Sequence, residues 1–142
     1  MFRKLLRKFI FGGANNFCDY ETTVLEVLSS TLPETDQHAL KKQIGSEKII
    51  QRTNTSRMVI VSFDGLLDDA KLNDRSEGKC VCTVLVEGEK HGALCAVFIH
   101  KGLLSSLEFA ASPEKIGAVK KVRIQSKTAR PSIADEMDAQ EH

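Results

Sequence analysis

The sequence predicts an α+β domain in which N-terminal helices pack on a curved antiparallel β-sheet. Apolar residues recur with a helical period as far as residue 44, and from residue 48 onward the chain is rich in β-branched residues. Between residues 79 and 111, short turns separate three apolar runs, and short turns join antiparallel neighbours into a meander. Helices followed by consecutive strands are typical of α+β domains.

The composition is that of one globular domain. The chain has 142 residues, of which 42% are hydrophobic and 27% are charged, and its net charge is +1. A chain of this size can bury a core without disulfides. The near-neutral charge argues against a nucleic-acid partner. Neither a secretory signal nor an apolar run of membrane-span length is visible, so we expect a cytoplasmic protein.

The first predicted helix covers residues 1–11 and is amphipathic and basic. It ends at Gly12 and Gly13. Its apolar stripe consists of Phe2, Leu5, Leu6, Phe9 and Ile10, and the cations between them are Arg3, Lys4, Arg7 and Lys8. A helix this short is unstable alone, so its stripe must lie on something apolar. It either docks on its own domain or lies in a membrane surface.

Two further helices are predicted before the strands begin. Asp19 is a suitable N-cap for a helix over about residues 20–30. The sequence Thr31-Leu32-Pro33-Glu34 has the pattern of a capping box and predicts a helix that ends near Gly45.

The strands are predicted from β-rich runs and the turns between them. A hairpin is expected over residues 49–53 and 58–63, followed by an exposed acidic loop over 64–78. The meander consists of Cys80–Val86, Ala93–Ile99 and Leu103–Ala110, and a basic edge strand follows at 119–124. The first two meander strands are apolar on both faces, which predicts a covering layer on each side. We expect one domain over residues 1–125 and a flexible charged tail over 126–142.

In outline this order of elements resembles cystatin-like folds. The run Lys101–Phe109 also resembles a turn and strand found in small bacterial proteins, some of them toxin-immunity proteins. That likeness covers only nine residues and identifies no family.

The cysteines are interpreted as packing residues. Cys80 and Cys82 alternate along one strand, with Cys95 and His91 nearby, but structural zinc sites place paired cysteines in C-x₂₋₄-C turns. We therefore predict buried thiols, no metal and no cofactor.

No catalytic signature is present. His100 and Glu108 lie near the ends of neighbouring strands and are the candidates for lining a pocket. There is no G-x-S-x-G elbow and no phosphate-binding loop. The sequence therefore favours a role other than catalysis, although an enzyme or a ligand carrier with a pocket between helices and sheet stays open.

The leading hypothesis is a non-enzymatic protein-binding module of the immunity or inhibitor type. It would act on a protein partner, or on a second copy, through a sheet face and charged loops. A peripheral membrane protein held by residues 1–11 is a further alternative. The candidate partner-binding residues are Asp64, Asp68, Asp69, Asp74, Lys90, His91, Lys120, Lys121 and Arg123.

Overall fold

A computed structural model of the chain describes residues 16–53, 55–63, 65 and 68–126. Its helices are α1 (Asp19–Ser30), α2 (Glu34–Gly45) and α3 (Pro113–Ile116), with a 3₁₀ turn at Asp68–Ala70. Its strands are β1 (Lys48–Arg52), β2 (Met58–Phe63), β3 (Lys79–Gly88), β4 (Gly92–His100), β5 (Leu103–Phe109) and β6 (Val119–Ser126). The fold is α+β, as predicted. The predicted N-terminal helix and most of the predicted charged tail lie outside the described residues.

The strands form one six-stranded antiparallel sheet in the order β1-β2-β5-β4-β3-β6. β3, β4 and β5 are the predicted meander, because each is joined to the next by a short turn. The β1–β2 hairpin pairs with β5, and β6 returns to pair with β3. In the described part of the chain, β1 and β6 are therefore the two edge strands.

The core lies on one face of the sheet, which we call the inner face. The buried side chains of α1, Val24, Leu25 and Leu28, pack there. Leu40 of α2 belongs to the same cluster. The strands contribute alternate residues to it: Val59, Cys82, Val84, Val86, Cys95, Val97, Leu107 and Phe109. Alternation along each strand sends the intervening side chains to the opposite face.

Both helices begin differently from the prediction. Asp19 is the first residue of α1, and Cys18 is the N-cap, whose backbone N–H donates to Glu21 Oε1 at 3.0 Å. Thr31 does not cap the start of α2; its hydroxyl donates to the Leu28 carbonyl at the end of α1. The local pattern located the helices correctly, but it did not show which helix end each polar side chain would cap.

The predicted acidic loop is only partly a solvated loop. Ala70 and Leu72 are buried, and Leu72 belongs to the core cluster. The Leu72 backbone N–H donates to the Gly102 carbonyl at 2.8 Å, which fixes the loop against the β4–β5 turn. A single apolar residue within a polar run shows no periodic pattern, so the sequence did not predict that Leu72 would be buried.

Asp74 gives this loop a small pH dependence. Lys79 Nζ donates to Asp74 Oδ2 at 2.6 Å, and this bond is the main reason why the pKa of Asp74 falls to about 2. A depressed carboxyl pKa stabilises the fold above the unfolded value of about 3.9, and this stability is lost as pH falls from about 4 to 2. We expect Asp74→Asn to remove that component, which is below about 1 kcal/mol because the pair is solvent-exposed.

Urea unfolding of the wild type and Asp74→Asn between pH 7 and pH 2 measures this effect. The difference in unfolding free energy should shrink across the range from about pH 4 to 2. Lys79→Met should remove the same component. An unchanged difference down to pH 2 would contradict the assignment.

Candidate functional site: the outer face of the sheet

The face opposite the helices, which we call the outer face, is formed by the alternate residues of the central strands. Ser106 on β5 lies between Ile60 on β2 and Phe98 on β4. In the next row, Glu108 lies between Met58 and Ala96.

A third row of the outer face continues towards β6. Leu94 on β4 lies opposite Leu85 on β3, and Leu85 lies opposite Arg123. The apolar members of the three rows are Met58, Ile60, Leu85, Leu94, Ala96 and Phe98. They form an apolar patch across β2, β4 and β3 that is interrupted by polar residues on β5.

The outer face is incompletely covered. Ile60 and Leu94 are each 41% exposed, which is high for large aliphatic side chains in central strands. None of the six apolar members belongs to the core cluster. In the part of the chain that the structure describes, no helix contributes a buried side chain to this face, since the apolar buried residues of α1, α2 and α3 all join the inner cluster.

Among the described residues of this patch, Glu108 is the one that carries a carboxylate. It is half-buried, with Met58 and Ala96 on either side. Among the described residues its carboxylate has neither an ion-pair partner nor a hydrogen-bond donor. A partly desolvated carboxylate is stabilised by a cation, so an occupant of this face would gain from placing lysine or arginine opposite it.

The two candidate pocket residues are not brought together. Glu108 lies opposite Ala96, and His100 lies four residues further along β4, roughly 13 Å away at the strand rise. The Gly78 backbone N–H donates to His100 Nδ1 at 3.2 Å, so this imidazole supports the turn before β3. The two side chains therefore do not form an acid–base pair.

A cleft of about 640 Å³ lies elsewhere, between the start of α1 and the segment 117–122. Cys18, Tyr20 and Lys121 are among its lining residues, whereas His100 and Glu108 are not. Burial raises the pKa of both the Cys18 thiol and the Tyr20 hydroxyl, so both stay protonated. A thiol of raised pKa is a poor nucleophile.

The charged candidate residues lie at opposite ends of β3. At one end, Asp69 pairs with Lys42 at 2.7 Å and Asp74 pairs with Lys79, so these acids are already engaged within the chain. Asp64 and the Asp68 side chain lie outside the described residues.

The other end of β3 carries charges of both signs and is basic on balance, since Glu87 and Glu89 lie among its cations. The exposed residues Lys90 and His91 lie in the β3–β4 turn, and their backbone N–H groups donate to the Ile116 carbonyl. This contact places them beside β6, where Lys120 and Lys121 are exposed and Arg123 lies 3.5 Å from Glu87. The structure thus gathers five of the predicted residues into one basic rim beside the outer face.

The cysteines do not form a reactive or metal-binding site in the described part of the chain. All four are free thiols, and burial raises the pKa of Cys82 to about 12 and that of Cys95 further. Residues 16–126, apart from the undescribed positions, contain no group of three or more histidine, cysteine or acidic side chains arranged to hold a metal.

Sequence reasoning named Glu108 but assigned it to a pocket, and it did not name the apolar residues around it. The signal was present in the two-sided apolar pattern of β3 and β4. That pattern indicates that both faces of the sheet need to be covered, but it does not indicate which face the helices pack against.

Comparisons with known proteins give no further guide to function. No family model matches the chain, and neither the curated proteins nor the solved structures include a match. Among the described helices, none combines the length and the apolar character needed to cross a membrane.

Proposed function

We propose that this chain is a non-enzymatic protein-binding module and that its outer face binds the partner. The observation that carries this proposal is the apolar patch around an unpaired Glu108, with Ile60 and Leu94 exposed beside it. Contiguous exposed apolar surface is typical of interaction sites. The fitting partner presents apolar side chains around a central lysine or arginine.

The chemistry of the outer face favours protein over other partners. A carboxylate within the patch repels the phosphates of nucleic acids and of anionic lipids. A second copy fits less well, because a two-fold axis through the patch centre would bring two Glu108 carboxylates together in a desolvated contact. The lysines and arginine of the basic rim would steer an acidic surface of the partner towards the sheet.

An immunity or inhibitor role in a bacterial cytoplasm is the specific form of this proposal. A domain that presents one apolar face and one charged rim suits a protein that acts by occupying another protein. A cystatin-like arrangement is proposed on the same basis, from two helices packed on one face of an antiparallel sheet.

Substitutions on the outer face should abolish binding without unfolding the chain. Ile60→Asp and Leu94→Asp replace side chains that are each 41% exposed, so we expect each to cost about 1–2 kcal/mol, which is less than the stability of a typical domain. Capture of the partner from lysate by the full chain, quantified by mass spectrometry, should fall about tenfold or more for each, because a charge is buried unpaired.

Val119→Asp is the matched control for this experiment. Val119 is 36% exposed, but it lines the cleft on β6 and lies outside the patch. It should capture the partner as the wild type does. If all three variants capture the same proteins equally, the outer face is not the binding surface. A wild-type dimer in light scattering that Leu94→Asp dissociates would assign the face to a second copy.

A further inference from the structure

The outer face has a candidate occupant in the chain itself. We propose that residues 2–11 dock across the outer face as an amphipathic helix, so that a partner has to displace them. This inference rests on the proposed function, because it describes how the same binding face is regulated. Three observations carry it: the charge of Glu108, the place where the described chain begins, and the length of the segment before it.

The charges are complementary. Residues 2–11 carry four cations and no acid, and their apolar residues form one stripe. Lys8 borders that stripe beside Leu5, because residues three apart lie on neighbouring positions of a helix surface. A helix lying with its stripe on the outer face can therefore present a lysine to Glu108, which has no other cation in the described chain. The same docking buries the exposed Ile60 and Leu94.

The described chain begins near the β1 edge of the sheet, although Cys18, two residues later, already lines the cleft beside the start of β6. Arg52 Nη2 on β1 donates to the Asn16 carbonyl at 3.4 Å, so Asn16 lies beside the edge strand next to β2. Phe17 is held nearby, with Lys48 Nζ 5.4 Å from its ring centroid. The segment before Asn16 therefore starts at the side of the sheet from which the patch is entered.

The lengths also agree. Residues 12–15, extended, span about 13 Å, which allows the chain to turn around the β1 edge. A ten-residue helix is about 15 Å long. Three strand spacings separate β1 from β4 in the sheet order, and they amount to about 14 Å. A helix over residues 2–11 can thus cross β2 and β5 and reach β4, which are the strands that carry Ile60, Glu108 and Phe98.

Zero-length carbodiimide coupling of the full chain, read by mass spectrometry, tests this directly. We expect a cross-link from Lys4 or Lys8 to Glu108 within one chain, identified by mixing ¹⁴N- and ¹⁵N-labelled protein. Leu6→Asp should lower its yield, since losing one buried leucine shifts the docking equilibrium constant about tenfold or more towards the undocked state. Val119→Asp should leave the yield unchanged.

Methyl NMR gives a second readout that needs no lysine. Leu6→Asp should shift the Ile60 and Leu94 methyl resonances and leave that of Leu25, in the inner core, unchanged. If methyl shifts and cross-link are both absent, docking is refuted. Mixed-label cross-links between chains would instead assign the face to a second copy. Phosphatidylserine vesicles that bind the wild type but not Leu6→Asp, with no cross-link to Glu108, would assign residues 2–11 to a membrane.

The two proposals fail separately. The cross-link assay needs no partner, and the capture assay does not require residues 2–11 to dock. If docking competes with the partner, Leu6→Asp should capture more partner than the wild type, because the binding-competent fraction rises. Equal capture together with a lost cross-link would leave the binding face in place and overturn the regulation.

Discussion

Arg52→Met is expected to destabilise the domain by about 3–5 kcal/mol, the range for removing one partner of a buried ion pair. The Glu21 side chain is 0% exposed, and Arg52 donates to its two carboxylate oxygens at 2.6 and 2.8 Å. The bidentate bond with Glu21 raises the pKa of Arg52. Without the guanidinium, the Glu21 carboxylate would be buried without an ion-pair partner, although it would still accept from the Cys18 backbone N–H.

The expected loss is measured by urea unfolding at pH 7. The double variant Glu21→Gln/Arg52→Met should be more stable than Arg52→Met alone, because a neutral amide is less costly to bury and can still accept from Cys18. Arg123→Met is the control: its pair with Glu87 is exposed at both ends, so the loss should stay within about 1 kcal/mol. Additive losses in the double variant would show that the two side chains do not depend on each other.

This pair also bears on the binding face. Arg52 links three parts of the chain: Asn16, the first turn of α1 and the edge strand β1. Arg52→Met therefore releases the point from which residues 2–11 leave the domain. Under the docking proposal, the yield of the cross-link between lysine and Glu108 should be lower in this variant, even under conditions where the sheet stays folded.

Local patterns predicted the order of elements and the meander. Helical periodicity and the short turns after residues 88 and 100 act over a few residues, so the sequence displays them directly. The strand order could not be predicted from such local patterns. The pairing of β2 with β5, and of β6 with β3, joins residues far apart in the chain, and nothing near Met58 or Val119 states which neighbour it will have.

The sequence predicted that an apolar second face exists, but it did not predict which residues form the candidate site on it. Continuous apolar runs in β3 and β4 showed that both faces of the meander need cover. The position of Glu108 within the outer patch depends on a register shift between β4 and β5 at Phe98/Ile99, which comes from tertiary packing. The acids of the predicted loop looked available for a partner, whereas Asp69 and Asp74 pair with Lys42 and Lys79.

The burial of Gln43 could not be predicted from the sequence, because a glutamine near the end of a helix is usually exposed to solvent. In the structure it is fully buried. Its Nε2 donates to the carbonyls of Ala70 and Gly102 at 2.6 and 2.9 Å, and its Oε1 accepts from the Leu104 backbone N–H at 2.8 Å. One amide thus joins α2, the 3₁₀ turn and the start of β5, with both of its donors and its acceptor satisfied.

Gln43→Leu should therefore destabilise the domain by about 3 kcal/mol or more. Leucine fills similar space but leaves the Ala70 carbonyl and the Leu104 N–H buried without partners, and each costs about 1–3 kcal/mol. The Gly102 carbonyl still accepts from the Leu72 backbone N–H. Gln37→Leu is the matched control on the same helix, since Gln37 makes a single half-buried bond to the Leu32 carbonyl and should cost about 1 kcal/mol.

Hydrogen exchange separates this local role from a general loss of packing. The Leu104 amide should exchange much faster in Gln43→Leu at pH 7, because its acceptor is gone, while amides of the β3–β4 ladder should follow only the change in global stability. Equal acceleration at all sites would mean that Gln43 acts through its volume alone. A selective effect at Leu104 would show that one buried amide holds the loop and the β4–β5 turn against α2.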